Sequence, residues 1–125
     1  MTFQETLQIH LHAIDTRDLP TFISTLTTDP VLTLLLPNGR FFDQREQVVA
    51  FMDNWFADPD WRLTYELVRT VETNTMGLAL LFVTYDDLDA QGQPYQLRYY
   101  LTLIFQYEAG RWALVHDQNT LAEPV

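Results

Sequence analysis

The sequence contains no cysteine and no lysine, and these two absences exclude several chemistries at once. Without cysteine there is no thiolate nucleophile, disulfide, iron–sulfur cluster or cysteine zinc site, and no sign of a redox compartment. Without lysine there is no side-chain Schiff base and no phosphate-binding loop that ends in Gly-Lys-Ser/Thr. The chemistry left to the chain is that of carboxylates, hydroxyls, imidazoles and arginines.

Serine and long apolar runs are also scarce. The one serine, Ser24, lies between Ile23 and Thr25 and lacks the flanking glycines of a nucleophile elbow, so covalent catalysis is not expected. The longest apolar runs, 34–36 and 77–83, are far shorter than a membrane span, and no basic-then-apolar leader opens the chain. We therefore expect a cytoplasmic protein.

The charge balance is strongly acidic. Seventeen Asp and Glu against seven Arg give a formal net charge of -10. A field of this sign repels phosphate backbones and anionic bilayers, so neither a nucleic-acid partner nor a membrane partner is expected. With 125 residues, of which 47% are apolar, the chain has the size and composition of a single domain that spans 1–125.

Three helices are predicted in the first half of the chain. Apolar residues recur every three or four positions from 2 to 16, which is typical of an amphipathic helix. Asp18 is predicted to cap a second helix, and Asp43 to cap a third with Glu46 at the capping-box spacing. Between these helices, 31–36 and 40–42 are predicted to pair through a Pro-Asn-Gly turn.

The second half of the chain is predicted to form a sheet. Alternating apolar residues indicate strands over 61–73, 78–85, 95–107 and 112–118, and all four glycines, Gly77 included, are assigned to turns. Helices that precede and interrupt a long antiparallel sheet predict an α+β fold in which the helices cover one face of the sheet.

One strand has an unusual composition, because 95–107 is apolar on both faces. The neighbouring strands are expected to add four further apolar residues to the face without helices: Leu80, Phe82, Trp112 and Leu114. A large exposed apolar patch on a monomer marks an interface. We therefore predict a homodimer that is joined through this outer sheet face with two-fold symmetry.

Three short motifs carry a family resemblance: Ala-Ile-Asp-Thr-Arg-Asp-Leu at 13–19, Leu-Asp-Ala-Gln-Gly-Gln-Pro at 88–94 and Gly-Arg-Trp-Ala-Leu-Val-His-Asp-Gln-Asn-Thr at 110–120. In their order and spacing they resemble the nuclear transport factor 2-like family, most closely its SnoaL-like proteins and the association domain of calcium/calmodulin-dependent protein kinase II. The resemblance implies a cone-shaped fold, with three helices packed on a curved, mostly antiparallel sheet around a pocket. It also implies dimerisation through the outer sheet face.

The resemblance further implies which residues line the pocket. On the sheet they are Leu81, Val83, Tyr85, Tyr99, Leu101, Leu103, Phe105, Val115, Asp117 and Asn119, and on the helices His10 and Phe56 close it. A three-residue loop at 109–111 would place Leu103 opposite Asp117 on one face.

Two departures from the relatives bear on function. The pocket arginines of the kinase association domain match Val83, Leu103 and Asn119, which argues against an anionic ligand. The general-base aspartate of ketosteroid isomerases matches Leu34, which cannot accept a proton. A mechanism copied from those isomerases would therefore need its base on another wall.

Asp117 and His10 are the candidate catalytic residues. Burial of Asp117 among apolar strand residues should raise its pKa toward the range useful for proton transfer; the alternative is a hydrogen-bonded structural carboxylate. His10 is a candidate acid or base, and the alternative is a hydrogen-bonded core histidine. The ligand-binding candidates are Tyr85, Tyr99, Asn119, Leu103, Val83 and Phe56.

No metal and no cofactor are expected. His10 and His12 lie two positions apart on a helix, so they point to nearly opposite sides and cannot share one ion. The segment 87–92 is similar to the start of a calcium loop, but Arg98 stands at the twelfth position, where such a loop requires a bidentate Glu. A solvated hairpin turn is the simpler interpretation of this segment.

Two functional hypotheses remain open from the sequence. In the first, the protein binds a small apolar or carbonyl-bearing ligand and acts as a cofactor-free isomerase, cyclase or dehydratase, with Asp117 and His10 moving protons. In the second, it is a non-catalytic dimeric binding or assembly module. The sequence does not identify the ligand.

Overall fold

The structure, a computed structural model, describes residues 1–122. The helices are α1 (Phe3–Asp15), α2 (Leu19–Ser24) and α3 (Arg45–Ala57). The strands are β1 (Val31–Leu35), β2 (Phe41–Gln44), β3 (Arg62–Glu72), β4 (Met76–Leu88), β5 (Pro94–Glu108) and β6 (Arg111–Leu121).

The six strands form one sheet in the order β2-β1-β6-β5-β4-β3. All neighbours are antiparallel except β1 and β6, which run parallel. The three helices pack on one face, where α1 brings the Phe3 ring to 5.7 Å from Phe105 and 5.6 Å from Trp112. The predicted α+β plan, with helices on a mostly antiparallel sheet, is confirmed.

One of the two predicted helix caps, Asp18, is confirmed. Thr2 and Glu5 form a capping box at α1, and the Asp18 side chain accepts a hydrogen bond from the Thr21 N–H at α2. The prediction that Asp43 caps α3 is wrong, because β2 continues through it to Gln44, which is the N-cap and makes no side-chain cap bond. The Arg45 N–H bonds instead to the Pro30 carbonyl at 2.8 Å.

The β5–β6 hairpin has the predicted register at Leu103 and Asp117, but its loop is one residue shorter than predicted. Its loop has two residues, Ala109 and Gly110, both in the left-handed region at φ 49° and 79°. Val115 is then an extra residue in β6, because Ile104 pairs with His116 whereas Phe105 pairs with Leu114. This bulge compensates for the shorter turn, so Leu103 still lies opposite Asp117 as predicted.

The bulge corrects three of the predicted side-chain placements in β6. Trp112 and Leu114, which were assigned to the outer face, are buried on the helix face at 8% and 1% exposure. Val115, which was assigned to the pocket wall, is the unpaired residue of the bulge and is only half-buried. One inserted residue reverses the face of every side chain that precedes it in the strand.

Gly77 lies within β4 and not in the predicted turn. It pairs with Phe105, and the Phe3 ring of α1 packs directly over it. A Cβ atom at this position would lie 2.5 Å from Phe3 Cδ1 and Cε1. Gly77 is therefore required by the close approach of α1 to the sheet.

We expect Gly77→Ala to destabilise the fold by about 1–3 kcal/mol, because the added methyl group overpacks the contact with Phe3. In a Phe3→Leu background, where the ring is absent, the same change should cost less than half as much. Urea unfolding of the two single variants and the double variant measures this coupling. Equal costs in the two backgrounds would contradict the contact.

Candidate functional site

A cavity of about 200 Å³ lies between the helices and the concave side of the strands. Its wall is mostly apolar and takes residues from all three helices, from β1 and from β3 to β6. The polar side chains on it are Asn38, Tyr85, Tyr95, Tyr99, Asp117 and Asn119. Among the residues that the structure describes, this wall contains no arginine, lysine or histidine.

Among residues 1–122, Asp117 is the one carboxyl group on the cavity wall. Its strand lies between β1 and β5, so Leu34 and Leu103 are its direct neighbours in register. The Asn119 side chain donates a hydrogen bond of 3.0 Å to Asp117 Oδ1 and another of 2.8 Å to the Leu35 carbonyl. Burial raises the pKa of Asp117 to about 7, and the Asn119 bond acts weakly in the opposite direction.

Tyr99 lies on the adjacent strand, four residues before Leu103, which pairs with Asp117, and it is 6% exposed. Burial raises the pKa of Tyr99, and the charge of Asp117 raises it further; no hydrogen bond within residues 1–122 contributes. Its hydroxyl group therefore stays protonated and is free to donate to a molecule in the cavity.

Tyr85 is more constrained than Tyr99. Its hydroxyl accepts a hydrogen bond from Trp55 Nε1 at 3.1 Å and donates one to Asp87 Oδ2 at 2.6 Å. Burial raises the pKa of Tyr85, and the bond to Asp87 adds to this effect. Asp87 is only 9% exposed, so it is a structural partner of Tyr85 that the sequence interpretation had placed in a solvated turn.

His10 is fully buried but does not border the cavity, which corrects its predicted place on the pocket wall. The Thr25 hydroxyl donates to the Phe22 carbonyl at 2.6 Å, so His10 Nδ1, 2.7 Å from that hydroxyl, must be the donor to it. Nε2 is then a bare acceptor without a partner in the described part of the chain. Burial lowers the pKa of His10 to about 3, which keeps the ring neutral.

The remaining predicted site residues divide into two groups. Tyr85, Tyr99, Asp117 and Asn119 come together on the cavity wall. Val83, Leu103 and Phe56 are buried in the core and do not reach it; Phe56 packs behind Phe22, with ring centroids 5.0 Å apart. Their positions support the wall without forming it.

The sequence interpretation missed part of the wall. The turn at 37–38, Leu36, Leu63, Tyr95 and Leu97 all border the cavity. The turn could have been found from the sequence, because it follows directly on the buried strand β1. Tyr95 lies at the start of β5. Whether it borders the cavity depends on how far β5 extends past the helices, and sequence periodicity does not show that length.

The segment resembling a calcium loop forms a hairpin turn. Asp89 Oδ1 accepts hydrogen bonds from the Gln91 and Gln93 N–H groups, each at 2.9 Å. No group of three or more His, Asp and Glu side chains in residues 1–122 is placed to hold a metal ion. No helix in the same residues combines the length and hydropathy needed to cross a bilayer.

The chain matches the SnoaL-like domain family over residues 4–122. It therefore belongs to that family, and the resemblance expected from the three sequence motifs is confirmed. No curated protein matches the sequence.

Solved structures agree on the fold. A candidate dehydratase of the NTF2-like family from Streptomyces avermitilis has a TM-score of 0.80 at 14% identity, covering 97% of this chain and 94% of its own. A candidate calcium/calmodulin-dependent protein kinase type II association domain from Thiobacillus denitrificans has a TM-score of 0.79 at 16% identity, covering 98% and 96%. A ketosteroid isomerase-like protein from Erwinia carotovora atroseptica has a TM-score of 0.77 at 16% identity, covering 97% and 94%. At these identities the likeness establishes the fold alone.

The pKa shifts of Asp117 and His10 have opposite signs, so they predict opposite dependences of the free energy of unfolding on pH. Because the pKa of Asp117 is raised from 3.8 to about 7, its contribution to stability falls as the pH rises through that window. Because the pKa of His10 is lowered from 6.5 to about 3, its contribution falls as the pH drops through that window. In the wild type the two slopes partly cancel.

Removing one group should therefore reveal the other. Relative to the wild type, we expect Asp117→Asn to lose stability more steeply as the pH falls from 6.5, and His10→Phe to lose it more steeply as the pH rises from 4 to 7. The differences should reach about 1–4 kcal/mol across each window, since one pKa unit corresponds to about 1.4 kcal/mol. Urea unfolding at half-unit pH steps measures them. Parallel curves for both variants would contradict the burial of these groups.

Proposed function

We propose that this protein binds a small, largely apolar, carbonyl-bearing molecule in its cavity and that Asp117 transfers a proton on it, as a cofactor-free isomerase, cyclase or dehydratase. The observation that carries the proposal is a carboxyl group on an apolar cavity wall with a pKa of about 7. A group with a pKa near the working pH is efficient both as base and as acid.

The proposed step needs only groups on the cavity wall. Asp117 accepts the proton from the carbon next to the carbonyl. The C–H electron pair forms the new C=C bond, and the π pair of the C=O bond moves onto the carbonyl oxygen. The Tyr99 hydroxyl, protonated and without a partner in residues 1–122, donates a hydrogen bond to that oxygen. Asp117 then returns the proton at another carbon atom, or to a leaving hydroxyl group in a dehydration.

His10 has no part in this proposed step. It is separated from the cavity by Phe22, whose ring centroid lies 4.5 Å from that of His10, and its ring remains neutral. The hydrogen bond from His10 to Thr25 supports a structural role in joining α1 to the end of α2. The sequence-based alternative of a core histidine is therefore the one we retain.

The position of Asp117 also offers a replacement for a missing base. The resemblance to ketosteroid isomerases places their general base at Leu34, which here lines the cavity and pairs with Asp117 in parallel register. Adjacent strands lie about 4.8 Å apart. The carboxyl group of Asp117 thus borders the same part of the cavity from the next strand.

For Asp117→Asn we expect retained binding of neutral aryl ketones and a loss of proton transfer of about 100- to 10,000-fold. A thermal-shift screen identifies ketones that bind, since a ligand at about 100 times its Kd adds roughly 2.7 kcal/mol to stability. NMR then measures the incorporation of solvent deuterium next to the carbonyl, a readout that needs no knowledge of the product.

Glu72→Gln is the matched control, because it removes one negative charge from an exposed position on β3. This variant should exchange deuterium at the wild-type rate. Leu97→Trp, which fills the cavity from its wall, should abolish both binding and exchange. Unchanged exchange in Asp117→Asn would remove Asp117 from the mechanism. Binding by the wild type with no exchange would favour a non-catalytic binding protein.

A second candidate function, a dimeric binding or assembly module, is supported by the outer sheet face. Tyr100 is 42% exposed there, and its ring lies 5.1 Å from that of Phe82. Leu80 follows on the same face, opposite Thr102, and Ile104 lies one pair further along, opposite Leu78; Leu80 and Ile104 are half-buried. We propose that a homodimer forms through this face, because no helix in the described residues covers it.

The dimer proposal predicts that Tyr100→Arg yields monomers, because the change would bury two unpaired charges at a two-fold interface. Light scattering should give twice 14.7 kDa for the wild type and 14.7 kDa for this variant. Leu67→Arg is the control: Leu67 is similarly exposed at 47%, but it shares the helix face with Leu81. A monomeric wild type at micromolar concentration would rule the dimer out.

A further inference from the structure

Asp117 is incompletely partnered in comparison with the other buried carboxylate. Asp87 accepts a hydrogen bond from Tyr85 on one oxygen and from the Leu88 N–H on the other. Asp117 has one donor among residues 1–122, the Asn119 amide on Oδ1. Its Oδ2 therefore remains available on the cavity wall, where Asp117 keeps 8% exposure. A molecule in the cavity is the natural source of the missing donor.

In the part of the chain that the structure describes, the cavity wall supplies no positive charge to balance Asp117. Of the described residues that form it, none is basic; Asp117 lies in register between Leu34 of β1 and Leu103 of β5, and Asn119 of β6 donates to its carboxyl group. The helices contribute only apolar groups, Ile14, Phe22 and Met52 among them. An anionic ligand would meet an uncompensated carboxylate in a poorly solvated site.

Aromatic side chains on the wall favour a cation as well. Trp55, Tyr85 and Tyr99 all border the cavity, and the π faces of such rings attract positive charge. The chain already uses this interaction on the neighbouring ring, where the Arg17 guanidinium carbon lies 3.7 Å from the centroid of Trp61. Trp61 in turn stacks on Trp55, with centroids 4.3 Å apart.

The approach to the cavity is acidic. Burial raises the pKa of Tyr95, which borders the cavity, and the charges of Asp87, Asp58 and Asp89 raise it further, so these three carboxylates act together at this rim. With a net charge of -10, the field of the whole chain acts in the same direction. Such a field concentrates cations at the rim and repels anions.

From these observations we infer that the cavity selects a ligand with a protonated amine on a small apolar body, the ammonium group donating to Asp117 Oδ2 against the aromatic wall. This inference rests on the proposed binding function, independently of the proton-transfer step, and gives the ligand a positive charge. A volume of about 200 Å³ corresponds to roughly seven water molecules at liquid density, which is enough for one aromatic ring with a short arm.

Three probes with the same ring and different charge test the inference: benzylamine, benzyl alcohol and benzoate. Hydrogen bonds to charged groups are worth about 1.5–3 kcal/mol, so benzylamine should bind roughly 10- to 100-fold more tightly than benzyl alcohol at pH 8, and benzoate should not bind. Isothermal titration calorimetry measures each Kd. The preference for the amine should disappear in Asp117→Asn and remain in the matched surface variant Glu72→Gln.

The pH dependence of the affinity is an independent test. It has opposite signs for an ammonium group that donates to the carboxylate and for a neutral acceptor that bonds to the protonated acid. An ammonium group needs the ionised carboxylate, so the affinity for benzylamine should rise about tenfold per pH unit below 7 and then level off. A neutral acceptor that takes a hydrogen bond from the protonated acid should instead lose affinity above pH 7. Tyr99 keeps its proton throughout, because its pKa is raised.

Each outcome decides the inference. Tighter binding of benzylamine that depends on Asp117 and rises toward pH 7 supports it. Equal binding of the amine and the alcohol overturns it but leaves the proposed function standing. A preference for the amine that persists in Asp117→Asn also overturns it, because the surface field alone would then select the cation. No binding of any probe, together with no hit among the aryl ketones, overturns both.

Discussion

The pairing of β5 with β6 is the constraint on which the rest of the structure depends. The two-residue turn at Ala109–Gly110 and the single extra residue at Val115 together set which face each β6 side chain occupies. Before the bulge, Trp112 and Leu114 point toward the helices and join the core. After it, Asp117 and Asn119 point to the same side and form part of the cavity wall. A shift of one residue would expose the first pair and remove the carboxyl group from the cavity.

The face of the sheet that the helices cover has two ends. Aromatic rings fill one end, and the cavity lies at the other. At the filled end Phe3 lies over Gly77 and contacts Phe105 and Trp112, so α1 approaches the sheet closely. His10 continues the ring packing with Phe105 at 5.7 Å and Phe22 at 4.5 Å. Phe22 is the last ring in this series and the first to border the cavity. The cavity therefore begins where close ring packing ends.

The order of elements was predictable from the sequence because period and turn chemistry are local properties. The amphipathic spacing over 2–16 and the Pro-Asn-Gly turn each correspond to an observed element. The failures have non-local causes. Asp43 has the chemistry of a cap, but pairing of β2 with β1 extends the strand through it. Gly77 was assigned to a turn, yet its role is to admit the ring of a helix more than seventy residues earlier in the chain.

The cavity was predictable in part. Asp117, Asn119, Tyr85 and Tyr99 were assigned to the pocket by the register that the family resemblance implies, and these four residues do border the cavity. The position of His10 relative to the cavity could not be predicted in this way. A helix residue borders the cavity only if no other side chain lies between that residue and the cavity. Phe22 occupies that position, and its place depends on how α2 crosses α1. The rest of the wall comes from the ends of elements, namely the turn at Pro37–Asn38 and the start of β5 at Tyr95. Sequence patterns locate the ends of elements poorly.

Three buried titratable groups differ in a way that singles out Asp117. Both oxygens of Asp87 are hydrogen-bonded within the protein, and the ring of His10 is held neutral with its free nitrogen enclosed. Asp117 alone combines a partly unsatisfied carboxyl group with access to a cavity. Above neutral pH the ionised group lowers the stability of the folded chain, and an asparagine of the same shape would not. A stability cost without internal compensation is typical of a functional position, which supports the proposal that a ligand of the cavity contacts Asp117.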